Sequence, residues 1–224
     1  MHKISIAIDG PAGAGKSTIA KMVSKYLNIL YLDTGAMYRV VALKAIRNGI
    51  DTLDADGLSS ILKSIDLKIE HIKSEQLMFL DGEDVTGLIR TPEVSIGASN
   101  VGSIPEVRIK MVEIQRLIAK EKSVVMDGRD IGTYVLPNAD LKIFLTASLE
   151  ERARRRYIEQ AQKGNMSLSY EDVLKDIEYR DKNDSERAFA PLKKAENAVL
   201  IDTTCLSIDD VVKRIIDLAD GIKK

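Results

Sequence analysis

Apolar positions in this chain fall into two rhythms. Lys3-Ile4-Ser5-Ile6-Ala7-Ile8-Asp9 is a β-branched run closed by a carboxylate, which predicts a buried strand. Residues 17–27 then place Ile19, Met22, Val23 and Leu27 at spacings of three and four, a helix with Asn28 as its stop. Ile29-Leu30-Tyr31-Leu32 predicts a second strand, ending in Asp33-Thr34-Gly35, and about 36–48 predicts a helix that turns Met37, Val40, Val41, Leu43 and Ile46 inward before Asn48-Gly49. Strand, loop and helix in repetition belong to a parallel α/β sheet. The rhythm breaks after a short helix at 55–65. Leu67–Ile72 alternates apolar and polar, Gln76–Leu80 and Glu83–Thr86 follow, and roughly 66–90 forms a small antiparallel excursion at the periphery. Helical patterns at 92–102 and 105–120 come next, the second with Pro105 in its first turn. Strands at 123–127, 141–145 and 198–202 alternate with helices at 148–162, 170–183 and 207–219, with Gly164-Asn165 breaking the charged pair. The last helix is expected to bury Ile208, Val211, Val212, Ile215, Ile216 and Leu218. The sum is an α/β fold of about five core strands with helices on both faces.

Between the first strand and first helix stands Gly10-Pro11-Ala12-Gly13-Ala14-Gly15-Lys16-Ser17, which fits G-x-x-x-x-G-K-[ST] in its required context. A strand, a glycine-rich turn and a helix N-terminus gather backbone N–H groups around one anion, and the helix dipole favours negative charge there. Gly13 and Gly15 let the backbone approach phosphate oxygens, Lys16 reaches the β/γ-phosphates, and the Ser17 hydroxyl is placed for Mg²⁺. These residues predict a nucleoside triphosphate site.

With 224 residues, 45% hydrophobic and 30% charged, the chain suits one globular domain with excursions, and its net charge of −1 argues against a broad field for nucleic acid or membrane. Aromatics at 4% and no Trp leave no base-stacking platform. The single cysteine, Cys205, allows no internal disulfide and is expected half-buried. No eighteen-residue apolar run and no signal-type leader are present, so the expectation is a soluble cytoplasmic protein. His2 and His71 are expected in exposed positions with no companions, which argues against metal ligation or general-base work.

In an open α/β sheet, ligands sit at the carboxyl ends of the strands. Besides the phosphate loop, two loops are expected to carry polar residues at such ends, Asp33-Thr34-Gly35 with Tyr38-Arg39 and Asp127-Gly128-Arg129-Asp130. Their hydroxyls and guanidinium forks suit a phosphorylated acceptor, and Asp127 could hold Mg²⁺ through water or orient Lys16. The arginines at 152, 154, 155 and 156 fit either a solvated face beside Glu150 and Glu151 or a lid that carries charge onto the phosphates.

Over nearly its whole length the chain resembles the bacterial cytidylate kinase family. The resemblance rests on Ile8–Thr18, Asp33–Arg39, Gly82–Thr86, Met126–Thr133 and Arg187-Ala188-Phe189-Ala190-Pro191-Leu192. It implies a P-loop NTPase fold with a β insert in the nucleoside monophosphate region and a helical lid. The implied divisions are a core (about 1–34, 106–147, 196–224), an acceptor region (about 35–105) and a lid (about 148–190). It implies transfer of the ATP γ-phosphoryl to CMP or dCMP with Mg²⁺, held at Ser17 and Asp127. ATP would lie on Gly10, Pro11, Ala12, Gly13, Ala14, Gly15, Lys16, Ser17 and Thr18, with Arg156. Ser99, Arg108 and Asp130 would read cytosine, and Arg180 and Asp184 would hold the sugar. Thr34, Tyr38, Arg39 and Arg129 would grip the acceptor phosphate, with Lys16, Arg39, Arg129 and Arg187 at the transfer site. A monomer without nucleic-acid or membrane partners is implied as well. Two other readings stay open: a kinase for another small acceptor, which would not need Ser99, Arg108 and Asp130, and a nucleotide-dependent switch, which would bind ATP without acceptor-dependent turnover.

Overall fold

In the computed structural model, which describes residues 3–72, 75–162 and 168–222, the apolar run after Lys3 forms strand β1 (Ser5–Asp9). It is followed by α1 (Lys16–Leu27), β2 (Leu30–Asp33) and α2 (Thr34–Arg47). Asn28 stops α1 in the left-handed conformation, as its type allows. After α3 (Ala55–Ser64) come the short strands β3 (Leu67–Ile72), β4 (Glu75–Leu80) and β5 (Glu83–Asp84), then α4 (Pro92–Val101) and α5 (Pro105–Glu121). The remainder is β6 (Val124–Gly128), β7 (Leu141–Thr146), α6 (Leu149–Gln162), α7 (Tyr170–Glu186), β8 (Val199–Asp202) and α8 (Ile208–Ile222).

The main sheet runs β2-β6-β1-β7-β8, all parallel, and β3-β4-β5 make a separate antiparallel sheet. Alternation along β1 sorts the core: Ile6 and Ile8 join Ile19, Val23, Val211 and Ile215 of α1 and α8, whereas Ala7 meets Met126, Leu32 and Val112 of α5. A further core lies under the small sheet, where Leu58, Met78 and Ile89 pack with Met37, Val41 and Val101. Register sets Asp33 beside Asp127 and Asp127 beside Ile8, so the carboxylates at the strand ends share one level.

Several expectations are corrected. Asp33-Thr34-Gly35 is no loop: the Asp33 side chain accepts from Ala36 N and starts α2 at Thr34. Ile208 is exposed in the first turn of α8, with Ile216 and Leu218 only partly buried. Met22 is exposed as well, because α1 turns Ala20 and Ser24 inward beside Ile19 and Val23. Cys205 is exposed in a turn where Asp202 takes the amide and hydroxyl of Thr204. His71 is half-buried, with Nε2 on the Tyr31 carbonyl. A π-helical turn, Ile131–Val135, was not legible beforehand. His2 and Gly164-Asn165 lie outside the described residues. Among the described residues no helix is long and apolar enough to cross a membrane.

The packing predicts contrasting truncations. Leu58→Ala, at a fully buried site, should cost about 2–5 kcal/mol in urea unfolding. Met22→Ala, at an exposed site, should stay within about 0.5 kcal/mol. Equal losses would misplace the helix faces.

Candidate active site

The loop between β1 and α1 is shaped by two close approaches. A Cβ on Gly10 would overlap the Leu145 carbonyl, and one on Gly13 would lie 2.9 Å from Arg152 Cβ. Gly13 and Gly15 have φ of 76° and 84°, a region open to glycine at little steric cost. The loop is also held from outside. Ala12 N donates to Asp181 Oδ1 at 3.1 Å, Arg152 Nη1 donates to Ala12 O at 2.9 Å, and Arg152 also pairs with Asp181. Thus α6 and α7 grip the loop backbone directly.

Lys16, in the first turn of α1, is buried and donates Nζ to Pro11 O at 2.6 Å. Burial, with Arg129 adding repulsion, pushes its ammonium well below the ordinary lysine range while Asp127 pulls the other way. Asp127, at the end of β6, accepts from Ser17 Oγ at 2.8 Å and from Tyr31 OH at 2.9 Å. Burial and then the neighbouring Asp33 carboxylate push Asp127 up to about 6. Its backbone oxygen accepts from Thr34 Oγ1 at 2.7 Å, so the Thr34 proton is engaged by the protein.

Opposite the loop, a cleft of about 870 Å³ gathers cations from separate elements. Arg39 comes from α2, Arg129 from the end of β6, Arg156 from α6, Arg180 from α7, and Arg187 follows α7. Arg180 is pushed down to about 9, first by burial and then by Arg129 and Arg39. Burial lowers Arg39 too, against the pull of Asp33 at 3.8 Å. Arg39 Nε, Arg180 Nε, Arg187 Nη2 and Tyr38 OH are buried without a hydrogen-bond partner. Donors in that state are costly unless something else meets them.

The acidic groups are distributed around this cluster. Asp184 accepts from Arg129 Nε at 2.7 Å and from Ser99 Oγ at 3.2 Å, and Arg187 stands 3.8 Å away. Burial would raise it, but Arg129, Arg187 and Arg180 hold it below the usual carboxylate range. Asp130 pairs with Arg108, whose guanidinium also donates to Gly102 O at 3.0 Å and lies 5.3 Å from the Tyr38 ring centre.

Every site residue expected from sequence lines this one cleft except Gly10 and Pro11. The arginine-rich helix divides. Arg152 is buried against the loop backbone, whereas Arg154, Arg155 and Arg156 all line the cleft, the first two paired with Glu151 and the third with Glu159 at 3.0 Å. Four groups escaped the sequence reading. Arg90 pairs with Asp33 at 3.1 Å, and Gln76 exchanges two hydrogen bonds with the Asp33 backbone at 2.8 and 3.1 Å. Asp181 clamps the loop, and Asp9 accepts from Ile131 N and Gly132 N. Only Asp9 carried a signal, a carboxylate ending an apolar strand.

A family model described as cytidylate kinase matches residues 6–221. Cytidylate kinases of Caldicellulosiruptor bescii and Halalkalibacterium halodurans are 55% and 54% identical to the chain, covering 97% and 96% of it and 96% and 97% of themselves. Among solved structures, a gluconokinase from Sinorhizobium meliloti aligns with TM-score 0.53 at 11% identity, over 99% of this chain and 94% of its own. A shikimate kinase from Bacteroides thetaiotaomicron aligns with TM-score 0.50 at 14% identity, over 98% and 99%. These last two speak for the fold alone.

Asp9 gives the site a pH signature. Burial pushes its carboxyl up to about 7, with Asp130 adding, against the Ile131 and Gly132 amides and Lys16. Unfolded, it loses its proton near pH 4. The folded state therefore holds more protons between about 4 and 7, and stability falls as pH rises through that window. Melting curves of the wild type and Asp9→Asn should diverge there by on the order of 3–4 kcal/mol, the wild type losing more. Parallel pH profiles would mean that Asp9 ionises without penalty.

Proposed function

The chain belongs to the cytidylate kinase family, and from that premise we propose that its cleft transfers the γ-phosphoryl of ATP to the phosphate of CMP or dCMP, yielding ADP and CDP or dCDP. The observation that carries this reading is the set of buried, unpartnered donors on Tyr38, Arg39, Arg180 and Arg187, facing one cleft with a depressed Lys16. Such a cluster is complementary to several phosphates at once.

ATP lies along Gly10–Thr18, with Lys16 on the β/γ-phosphates and Arg156 closing from α6. Tyr38, Arg39 and Arg129 take the acceptor phosphate, so that its oxygen meets the γ-phosphorus in line with the leaving oxygen. Arg187 screens the charge between them. No side-chain nucleophile is needed, because positioning and cationic screening supply most of the catalysis. Arg180 and Asp184 hold the sugar hydroxyls. Asp130 accepts from the exocyclic N4 amine of cytosine, Arg108 donates to its ring acceptors, and Ser99 completes the base site. Uracil, with O4 and N3–H, meets mismatched partners. Thr34 acts at one remove, through the Asp127 carbonyl that it holds.

Ser17 Oγ and Asp127 Oδ2, 2.8 Å apart, form a hard oxygen pair beside the loop, and that donor set fits Mg²⁺. Held by Ser17 and Asp127, the ion would supply positive charge against the charge that develops on the transferred phosphoryl group. The reading takes the chain as a core, an acceptor region at about 35–105 and a lid at about 148–190. The separate apolar core beneath β3 and β4 supports that division. It also takes the protein as a cytoplasmic monomer without nucleic-acid or membrane partners, a reading that the net charge of −1 supports for nucleic acid.

A coupled ADP-release assay with each nucleoside monophosphate tests the reaction: strong turnover is expected with CMP and dCMP and little with UMP, AMP or GMP. Turnover with a different monophosphate would remove Ser99, Arg108 and Asp130 as base readers. Lys16→Ala should lower kcat by roughly 10²–10³. Its melting temperature should hold or rise, since a costly buried cation is removed. Retained turnover would sink the loop assignment. Asp130→Ala should shrink the preference for CMP over UMP by on the order of 1–3 kcal/mol.

A further inference from the structure

Asp9 closes β1 one residue before the phosphate loop, is 3% exposed and does not line the cleft. Its two carboxylate oxygens are used separately. Oδ1 accepts from Ile131 N at 2.8 Å and Oδ2 from Gly132 N at 2.7 Å. Those amides open the π-helical turn at Ile131–Val135, and the same turn folds back on Asp130, whose carbonyl accepts from Tyr134 N at 2.8 Å and Val135 N at 3.1 Å. Asp130 itself pairs with Arg108 and stands 3.6 Å from Arg187. The approach is tight: a Cβ on Gly132 would lie 3.2 Å from Lys142 Cδ and 3.3 Å from Asp9 Oδ2.

A carboxylate bonded to two successive amides fixes the rotation of a turn as well as its position. We propose that Asp9 is a positioning residue that sets discrimination between cytosine and uracil, by fixing the turn that aims the Asp130 carboxylate. The proposal rests on Asp130 reading the base. Asp130 gains from the N4 amine of cytosine and is repelled by O4 of uracil, and both effects depend on its placement. A loosened turn therefore weakens CMP while sparing UMP. The backbone of the phosphate loop has a separate restraint in the Arg152–Asp181 clamp on Ala12.

Asp9→Asn offers one acceptor to two amides and turns an NH₂ against the other. Steady-state kinetics should show kcat/KM for CMP falling about ten- to a hundredfold, mainly through KM, with UMP changed by less than about threefold and the ATP KM by less than about twofold. In an Asp130→Ala background, Asp9→Asn should leave the CMP/UMP ratio where Asp130→Ala already put it, since both act through one carboxylate. Equal falls for CMP and UMP, or fully additive effects, would overturn the proposal. If Asp130→Ala alone leaves the ratio at the wild-type value, the base-reader assignment fails and the role of Asp9 with it. If Asp130→Ala collapses the ratio and Asp9→Asn does not, only the role of Asp9 fails. Should circular dichroism show Asp9→Asn unfolded, Gly132→Ala, which wedges a methyl group between Lys142 and Asp9, should lower the same ratio. An unchanged ratio there overturns the proposal equally.

Discussion

Positive charge held out of reach of water is the condition that the rest of this molecule is built to sustain. Lys16, Arg39 and Arg180 all sit below their ordinary basicity through burial, and Arg129 adds to the repulsion on all three. Left to itself such a cluster would spread apart. It does not, because each cation is mounted on a different rigid element: the first turn of α1, the body of α2, the tip of β6 and the shaft of α7. The parallel sheet fixes the first and third relative to each other through its register. Asp184 and Asp127 relieve part of the repulsion without cancelling it. The remainder is complementary to phosphate, whose binding there would release the repulsion.

Much of this was legible in the chain. The strand, glycine loop and lysine form a local pattern, and local patterns survive folding. Asp127 and Arg129 were found because strand ends are where α/β sheets bind ligands. What escaped depended on partners far away in sequence. Asp181 meets Ala12 across 169 positions and Gln76 meets Asp33 across 43, and no spacing rule reaches that far. The helix faces failed for another reason. Counting only large apolar residues put Met22 inside α1, whereas the packed stripe uses the small Ala20 and Ser24, which let the helix lie close to the sheet. Ile208 was expected inside because it is apolar, yet it stands at the cleft rim where α8 begins. The four-arginine helix looked uniform, and only tertiary contacts separated the buried anchor Arg152 from three ion-paired arginines along the cleft.

The small sheet solves a problem of the large one. β2 is an edge strand, with backbone groups open to unwanted pairing. Gln76 gives Asp33 an acceptor and a donor as a neighbouring strand would, and His71 meets the Tyr31 carbonyl. The excursion thereby closes an edge and sets a wall of the cleft. Asp33, capped on its backbone by Gln76, offers its side chain to Ala36, Arg90 and Arg39.

The grip of Arg152 and Asp181 on Ala12 changes what counts as the phosphate loop. Its eight-residue signature is contiguous, but its shape is completed by two side chains on helices more than a hundred positions later. A protein engineer who transplanted Gly10–Ser17 into a foreign sheet would carry over the letters and leave the mould behind. The transferable unit is the loop with its two-helix collar. Drift at either collar position would alter nucleotide handling while leaving the familiar motif intact.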